Sequence, residues 1–272
     1  AVSFADYKKP VSNPNILKIA LQYAQNFDGL VQSFPLEKKI AGKGIVNEHH
    51  NSTLLGLKGI PNLAEDLQIA RDLYLLEYTG GKLHIPTIST EKSVALIKEA
   101  KKKGLDVTCS VAIHNLILTD DLLSEFDTRA KVLPPLRTKK DTKALIKGLK
   151  EGTIDFVTSD HDPIDIENKK VEFDNASYGS IGLESAFGAL HTIFSTEETI
   201  EILTRGRSRF KAENIKIAEK ETAKLSFFLP EVKYTFEKSD ILSTSQNSIF
   251  LGQQLKGKAI GIFNNNQLII AE

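Results

Sequence analysis

The segment GGKLHIPTISTEKSVALIKEAKKKGLDVTCSVAI, residues 80–113, decides the fold. Two runs rich in apolar and β-branched residues, at 82–89 and 106–113, are predicted strands. Between them, apolar residues recur at helical spacing, at Val94, Ile97 and Ala100. A lysine run and Gly104 end the predicted helix. This order of strand, helix and strand predicts a parallel sheet covered by helices.

The same alternation continues on both sides of this segment. Further strands are predicted at 1–4, 29–34 and 154–160. Further helices are predicted to begin at Asn13-Pro14 and at Pro61, and to cover 141–151, 181–194 and 196–204. Residues 1–210 are therefore predicted to be α/β, a class in which functional groups gather at the carboxyl ends of the strands.

Residues 211–272 have a different pattern. Short alternating apolar runs are separated by turn residues, among them the three asparagines at 264–266. Such spacing is typical of β-hairpins. We therefore predict a small β module that follows the α/β region.

Composition excludes several classes of protein. The chain has 272 residues and is 41% hydrophobic, which is enough apolar material for a sizeable core. Its 35 basic and 35 acidic residues balance, so no electrostatic capture of nucleic acid or of an anionic membrane is expected. The single Cys109 fits a reducing compartment and is expected to be buried. With no membrane span or signal peptide in the sequence, we predict a cytoplasmic protein.

The densest group of polar side chains follows the predicted strand at 154–160. Asp160 and His161 stand together at its carboxyl end, where a carboxylate and an imidazole suit metal binding or proton exchange with a substrate. The alternative is that Asp160 caps a turn and His161 is solvated, since Asp is a common turn former.

Two neighbouring segments favour the functional interpretation. Arg137 follows a double proline and presents a planar cation suited to a carboxylate. Gly179 and Gly182 allow the backbone to approach a ligand just ahead of a predicted helix.

Four strings in order resemble those of the dihydroorotases of the amidohydrolase superfamily, at Pro134–Arg137, Gly152–Asp155, Ser159–Pro163 and Gly179–Glu184. The similarity continues through STSQNSIFLGQQLKG at 243–257. It implies a (β/α)8 TIM-type barrel with a small appended β-sandwich, here divided as 1–210 and 211–272. It also implies a zinc-dependent enzyme that hydrolyses or closes a cyclic amide and so interconverts dihydroorotate and carbamoyl aspartate.

The resemblance assigns roles to particular residues. Asp160 would be the general base and a metal ligand, and Asp6 a second metal ligand. The substrate contacts would be His161, Arg137, His114, Ala176 and the backbone of Gly179. The implied partners are a small-molecule substrate, a second copy of the chain in a homodimer and, as in some relatives, aspartate carbamoyltransferase.

The chain departs from the family pattern at several ligand positions. Gln32 and Thr87 are nearest to the family's fifth-strand and sixth-strand histidines, and both are weak neutral ligands for zinc. His84 is expected on the opposite face of the strand from Thr87, so it is a poor substitute. Asn115 follows His114 where the family has a second histidine. The family's first-strand His-x-His has no counterpart, and we expect the sequence to begin at the fourth barrel strand.

Three functions remain open at this stage. The first is an active dihydroorotase-type hydrolase. The second is a metal-poor homologue with a structural or regulatory role, favoured by the replaced histidines. The third is a hydrolase of another cyclic amide or ureide, such as a hydantoin or allantoin. The other histidines are not expected to bind a metal. His49 and His50 lie in a polar loop and are expected to be solvated, and His191 is expected to be packed or half exposed on a helix.

Overall fold

The protein is described by a computed structural model covering residues 1–212, 217–219 and 221–270. The strands are β1 Leu30–Gln32, β2 Val46–Asn47, β3 Gly59–Ile60, β4 Lys82–Ile85, β5 Val107–Ala112, β6 Phe156–Thr158, β7 Leu225–Thr235, β8 Gln254–Asn264 and β9 Gln267–Ile270. The α-helices are α1 Pro14–Ala24, α2 Lys38–Ala41, α3 His50–Leu54, α4 Asn62–Thr79, α5 Glu91–Lys102, α6 Ile113–Ile117, α7 Lys139–Lys150, α8 Ala186–Leu190 and α9 Thr196–Thr204.

A four-stranded parallel sheet in the order β1-β4-β5-β6 forms the centre of the fold. This arrangement confirms the α/β prediction made from residues 80–113. The predicted strand at 1–4 is reduced to a single parallel bridge between Phe4 and Val31. Phe4 continues the sheet beyond β1, because its N–H donates to the Leu30 carbonyl at 2.9 Å and its carbonyl accepts from Gln32 at 2.8 Å.

The long helices pack side by side, α1 against α4, α4 against α5, and α5 against α7. Their apolar stripes and the strands form one core, which includes Leu17, Leu21, Ile69, Leu83, Ile97, Cys109, Val111 and Leu145. Side-chain caps fix where these helices begin. Thr90 accepts a hydrogen bond from the Ser93 N–H, and Thr138 and Asp141 form a reciprocal capping box. The burial predicted for Cys109 is confirmed.

The region between residues 38 and 60, in which a polar loop was expected around His49 and His50, contains four short elements. Strands β2 and β3 form a separate parallel pair, and the short helices α2 and α3 adjoin them. These elements are two to five residues long, too short to give a hydrophobic period. The prediction that His49 and His50 lie in a loop was therefore wrong for His50, which begins α3.

The helix predicted at 181–194 was too long, since only Ala186–Leu190 is α-helical. The preceding residues, 181–185, are irregular or in turns. A Cβ on Gly182 would lie 2.3 Å from the Ser159 carbonyl oxygen, so this close approach requires glycine. His191, at the end of α8, is buried, so it is packed rather than half exposed.

The C-terminal region contains a three-stranded antiparallel sheet in the order β7-β8-β9. Two of the short apolar runs, KLSFFLP at 224–230 and KYTFEK at 233–238, contribute to one bulged strand, β7. The asparagine turn is confirmed as the β8–β9 hairpin, with Asn265 and Asn266 both left-handed. The boundary between residues 210 and 211 stays a prediction. In the described part of the chain, no helix is both long and apolar enough to cross a membrane.

Helix α8 joins the antiparallel sheet to the rest of the protein at a point of close contact. A Cβ on Gly188 would lie 2.8 Å from the Tyr234 hydroxyl and 3.1 Å from the Gly257 carbonyl oxygen. We expect Gly188→Ala to destabilise the protein by about 1–3 kcal/mol, because the added methyl overpacks this contact. Urea denaturation measures the change.

The matched control is Lys143→Ala, on the exposed face of helix α7. It should change the free energy of unfolding by less than about 0.5 kcal/mol. Equal stability of Gly188→Ala and this control would show that the contact between α8 and the antiparallel sheet is not tight.

Candidate active site at the strand ends

A cavity of about 320 Å³ lies against the carboxyl-terminal halves of β1, β4, β5 and β6. Its polar lining comes from residues far apart in the sequence: Asp6, Tyr7, Lys8, Gln32, His84, Thr87, Ser110, Thr158 and Asp160. Aromatic rings of Phe34, Phe156 and Phe210 complete the wall. The cavity therefore combines an apolar wall with a few polar groups, which is the usual composition of a small-molecule site.

The strongest electrostatic contact in the cavity is made by Lys8. Its ammonium lies 3.1 Å from Asp160 Oδ2 and 3.1 Å from Asp162 Oδ2. Burial acts to lower the pKa of Lys8, but Asp160, Tyr7 and Asp162 outweigh it and raise that pKa. Lys8 is therefore charged at neutral pH. The sequence analysis missed this residue, because nothing in Lys8-Lys9 distinguishes it from surface charge.

Three residues of the cavity wall have left-handed backbone conformations: Lys8 at φ 48°, Thr87 at φ 48° and Asp160 at φ 47°. Such values are uncommon for residues other than glycine, and for a β-branched residue such as Thr87 they are genuine outliers. Strained backbone of this kind is concentrated at functional sites. The Thr87 hydroxyl is also buried without a hydrogen-bond partner in the described residues.

The expectation that His84 and Thr87 lie on opposite faces of the strand was wrong. Strict alternation predicted opposite faces, yet both side chains line the same cavity. Strand β4 ends at Ile85, and the left-handed turn at Thr87 changes the direction of the chain. His84 stacks on Phe156 with ring centroids 5.1 Å apart and accepts or donates a 3.0 Å hydrogen bond with Thr108. Burial lowers the pKa of His84 to about 3, so it is neutral.

Segment 243–249 fixes the turn that carries Asp160. The Asn247 amide nitrogen donates to the carbonyl oxygens of Asp162 and Gly179, both at 3.2 Å. Its amide oxygen accepts from the Ile164 N–H at 3.2 Å. A Cβ on Gly179 would meet the Asp162 carboxylate at 3.0 Å, so glycine leaves room for that carboxylate. Asn247 lies in the family-like string at 243–257, but its role was not predictable from the residues around it.

The predicted substrate contacts fall into two groups. His161 and Gly179 lie beside the Asp160 turn, but neither residue lines the cavity. His161 Nδ1 accepts from the N–H groups of Gly182 and Leu183 at 3.3 and 3.4 Å, which fixes its ring. Ala176 is buried in the loop before Gly179 and does not line the cavity.

His114 is buried behind the site on helix α6. Its Nε2 has no hydrogen-bond partner in the described residues. Burial lowers the pKa of His114 to about 4, and Lys8 acts in the same direction, while Asp160 opposes the shift. The imidazole is therefore neutral at pH 7.

Arg137 lies in the interior rather than in the cavity. Its guanidinium donates to Asn47 Oδ1 at 2.9 Å, to the Ile60 carbonyl at 2.7 Å and to Ser89 Oγ at 3.1 Å. Glu65 Oε2 is 3.8 Å from Nη2. The Arg137 and Glu65 side chains are only 2% and 1% exposed.

Glu65 is held by several donors besides Arg137. The Ser89 N–H, the Ser93 hydroxyl and the Thr90 N–H donate to it at 2.7, 2.7 and 3.1 Å. Burial raises the pKa of Glu65, and Arg137 and the hydroxyl groups oppose that shift. This network joins β2, β3, α4 and the loop after β4.

The side chains present do not fit the zinc site that the resemblance implies. Asp6 and Asp160 both line the cavity, but Gln32 and Thr87 supply only neutral oxygen or nitrogen atoms there. Over residues 1–212, 217–219 and 221–270, no three His, Cys, Asp or Glu side chains converge closely enough to hold a metal ion. Lys8 already engages Asp160, so the donor set is short of the usual three or four ligands.

A second depression, of about 520 Å³, lies at the opposite ends of the strands. Its cations are already paired. Lys82 and Lys211 contact Asp28 at 2.5 and 3.1 Å, and Arg205 donates to the carbonyls of Leu149 and Ile154. None of the predicted site residues lines this depression. The Asp160 cavity is therefore the candidate active site.

The Arg137 network predicts a large effect on stability. We expect Arg137→Met to destabilise the protein by about 3–5 kcal/mol, because it leaves the buried Glu65 without its cation. Arg129→Met is the control, since Arg129 forms a partly exposed pair with Asp127 and should cost less than about 1 kcal/mol. Urea denaturation at pH 7 compares them, and equal costs would contradict the structural role of Arg137.

The buried His114 predicts a loss of stability in mild acid. Its pKa is about 4 in the folded protein and ordinarily 6.5, so the unfolded chain binds more protons between these values. Stability therefore falls as the pH drops below about 6.5, and His114 accounts for about 2 kcal/mol of the loss at pH 5. His114→Gln should remove that part of the difference between denaturation at pH 7 and pH 5.

The exposed His50→Gln serves as the control and should keep the wild-type pH dependence. An unchanged pH dependence in His114→Gln would show that His114 is not held neutral.

Curated relatives match almost the whole chain. "Dihydroorotase" of Ruminiclostridium cellulolyticum is 40% identical over 265 residues, covering 95% of this chain and 62% of its own length. "Dihydroorotase" of Acetivibrio thermocellus is 37% identical over 279 residues, covering 100% of this chain and 66% of its own length. The chain thus spans less than two thirds of the relatives that it matches. No protein-family model matches the chain.

Solved structures show the same fold at lower identity. A D-hydantoinase structure superposes with a TM-score of 0.79 at 21% identity, over 99% of this chain and 63% of that one. Dihydropyrimidinase from Brevibacillus agri NCHU1002 gives a TM-score of 0.77 at 21% identity, over 94% of this chain and 59% of that one. These are TIM-barrel amidohydrolases. By sequence and fold, the chain belongs to the dihydroorotase family of the amidohydrolase superfamily.

Proposed function

We propose that the protein serves pyrimidine biosynthesis as a dihydroorotase-type hydrolase, which acts on a C–N bond of a cyclic amide. Its proposed ligands are dihydroorotate and carbamoyl aspartate, and its proposed location is the cytoplasm. The observation that carries this proposal is the 37–40% identity to proteins named dihydroorotase over 94–100% of the chain. The position of the cavity at the carboxyl ends of parallel strands agrees with it.

Asp160 is the proposed general base. Lys8 contacts its Oδ2 atom, which leaves Oδ1 as the oxygen to take or return a proton. The fixed turn around Asp160 positions this carboxylate, since Asn247 holds the adjoining Asp162 carbonyl. A base held within reach of the substrate typically contributes about 10²–10⁴ in rate.

The remaining roles follow from where each residue lies. His161 and the Gly179 backbone, next to Asp160, are the proposed substrate contacts. His114 and Ala176 are buried, and we propose that they support the wall of the site. Arg137 is bound in the interior, so direct contact with a substrate requires its network to open.

The second candidate function is that of a metal-poor dihydroorotase homologue with a structural or regulatory role. The specific observation that favours it is the short donor set, with Gln32 and Thr87 in the cavity and Lys8 on Asp160. Such a protein would retain the cavity but not the zinc chemistry that the resemblance implies. Its proposed partners are a second copy of the chain or aspartate carbamoyltransferase.

One experiment distinguishes these functions. The purified full-length protein is incubated with dihydroorotate and, separately, with carbamoyl aspartate, and ring opening and closure are followed by chromatography. Hydrolysis that falls at least about 100-fold in Asp160→Asn supports the first function. The control is Asp165→Asn, an exposed carboxylate in the same loop, which should keep wild-type activity.

The same preparation is tested for ligand binding by calorimetry. Binding of either compound without turnover would support the metal-poor homologue and contradict the hydrolase. A lack of both binding and turnover would contradict the assignment of this substrate. Turnover of a hydantoin or allantoin alone would instead identify another cyclic amide as the substrate.

A further inference from the structure

We propose that the Lys8 ammonium takes the place beside Asp160 that a divalent cation takes in a metal-dependent amidohydrolase. The cavity then has a cation built into the chain rather than one taken from solution. This inference concerns the resting site, and it holds whether or not the proposed hydrolysis takes place.

The first support is the geometry of the ion pair. Lys8 Nζ lies between two carboxylates, 3.1 Å from Asp160 Oδ2 and 3.1 Å from Asp162 Oδ2. The Lys8 and Asp160 side chains are only 14% and 7% exposed. At such partly buried positions the attraction between opposite charges is screened much less than at the surface.

The second support is that both partners are aimed by the backbone. Lys8 and Asp160 are 152 positions apart in the sequence, yet each has a left-handed φ near 48°. A relaxed backbone at either position would direct the side chain elsewhere. The neighbouring Asp162 lies close to Gly179, where an added Cβ would meet its carboxylate at 3.0 Å. The two carboxylates are therefore held beside one another and require a cation.

The third support is that the ammonium and a metal ion exclude each other. A zinc ion bound to Asp160 Oδ2 would lie about 2.0–2.2 Å from that oxygen. The Lys8 nitrogen is already 3.1 Å from the same atom. Two cations on one carboxylate oxygen would repel strongly in this half-buried site. Gln32 and Thr87 offer no charged donor that would compensate a metal.

The test measures metal uptake by the full-length protein and needs no assay of activity. Wild type, Lys8→Met and the control Lys9→Met are each dialysed against zinc, and the bound metal is counted by plasma mass spectrometry. Lys9 is exposed and has no part in the ion pair. Calorimetry and thermal denaturation with zinc and with manganese follow on the same samples.

We expect wild type and Lys9→Met to hold no zinc that depends on Asp160. Lys8→Met should bind zinc at least about tenfold more tightly, because its carboxylates lose their internal cation. Zinc should also raise its melting temperature, and both effects should disappear in the Lys8→Met/Asp160→Asn double variant.

Two outcomes would overturn the proposal. One is stoichiometric zinc in the wild-type protein that is lost in Asp160→Asn, a comparison that needs no change at Lys8. The other is a folded Lys8→Met that binds zinc no better than Lys9→Met. Absent hydrolysis together with absent wild-type zinc would contradict the proposed hydrolase and leave this inference supported.

Discussion

The architecture around the site depends on one buried charge pair, Arg137 with Glu65. Neither group reaches water, so each relies on the other and on a closed set of hydrogen bonds. Because the partners come from β2, β3, α4 and the loop after β4, these segments are held together as one unit. The pair stabilises the loops at the carboxyl ends of the strands. Neither Arg137 nor Glu65 lines the cavity.

The cavity shows how charge and backbone conformation act together. Lys8 and Asp160 attract one another across the strand ends, and their left-handed backbones direct the two side chains into contact. That attraction offsets part of the conformational strain. Thr87, also in the cavity wall, has the same left-handed backbone, but its buried hydroxyl has no hydrogen-bond partner in the described residues. The charged groups of the site are thus paired, whereas the Thr87 hydroxyl is not, among the residues that the structure describes.

The sequence predicted the long, periodic parts of this fold and missed what depends on distant contacts. Residues 80–113 carry helix and strand periods over enough length to identify the parallel sheet. Strands β2 and β3, with two residues each, carry no such signal. Asp160 was predictable because it directly follows a strand, whereas Lys8 lies 152 positions away in the sequence and reaches the site only through the fold. The double proline before Arg137 gave no indication of burial, which is set by partners on four separate segments.

Asn247 bears on how this architecture can change over time. It lies in the connection between β7 and β8 of the antiparallel sheet, yet it secures the turn that carries Asp160 and Asp162. Ser243 extends the same attachment by donating its N–H to Glu184 at 2.9 Å. The connection between β7 and β8 thus supports a turn of the candidate active site, although it does not line the cavity. Recombination that exchanged this module between relatives would have to transfer the connection with it, so the two halves are constrained to evolve together.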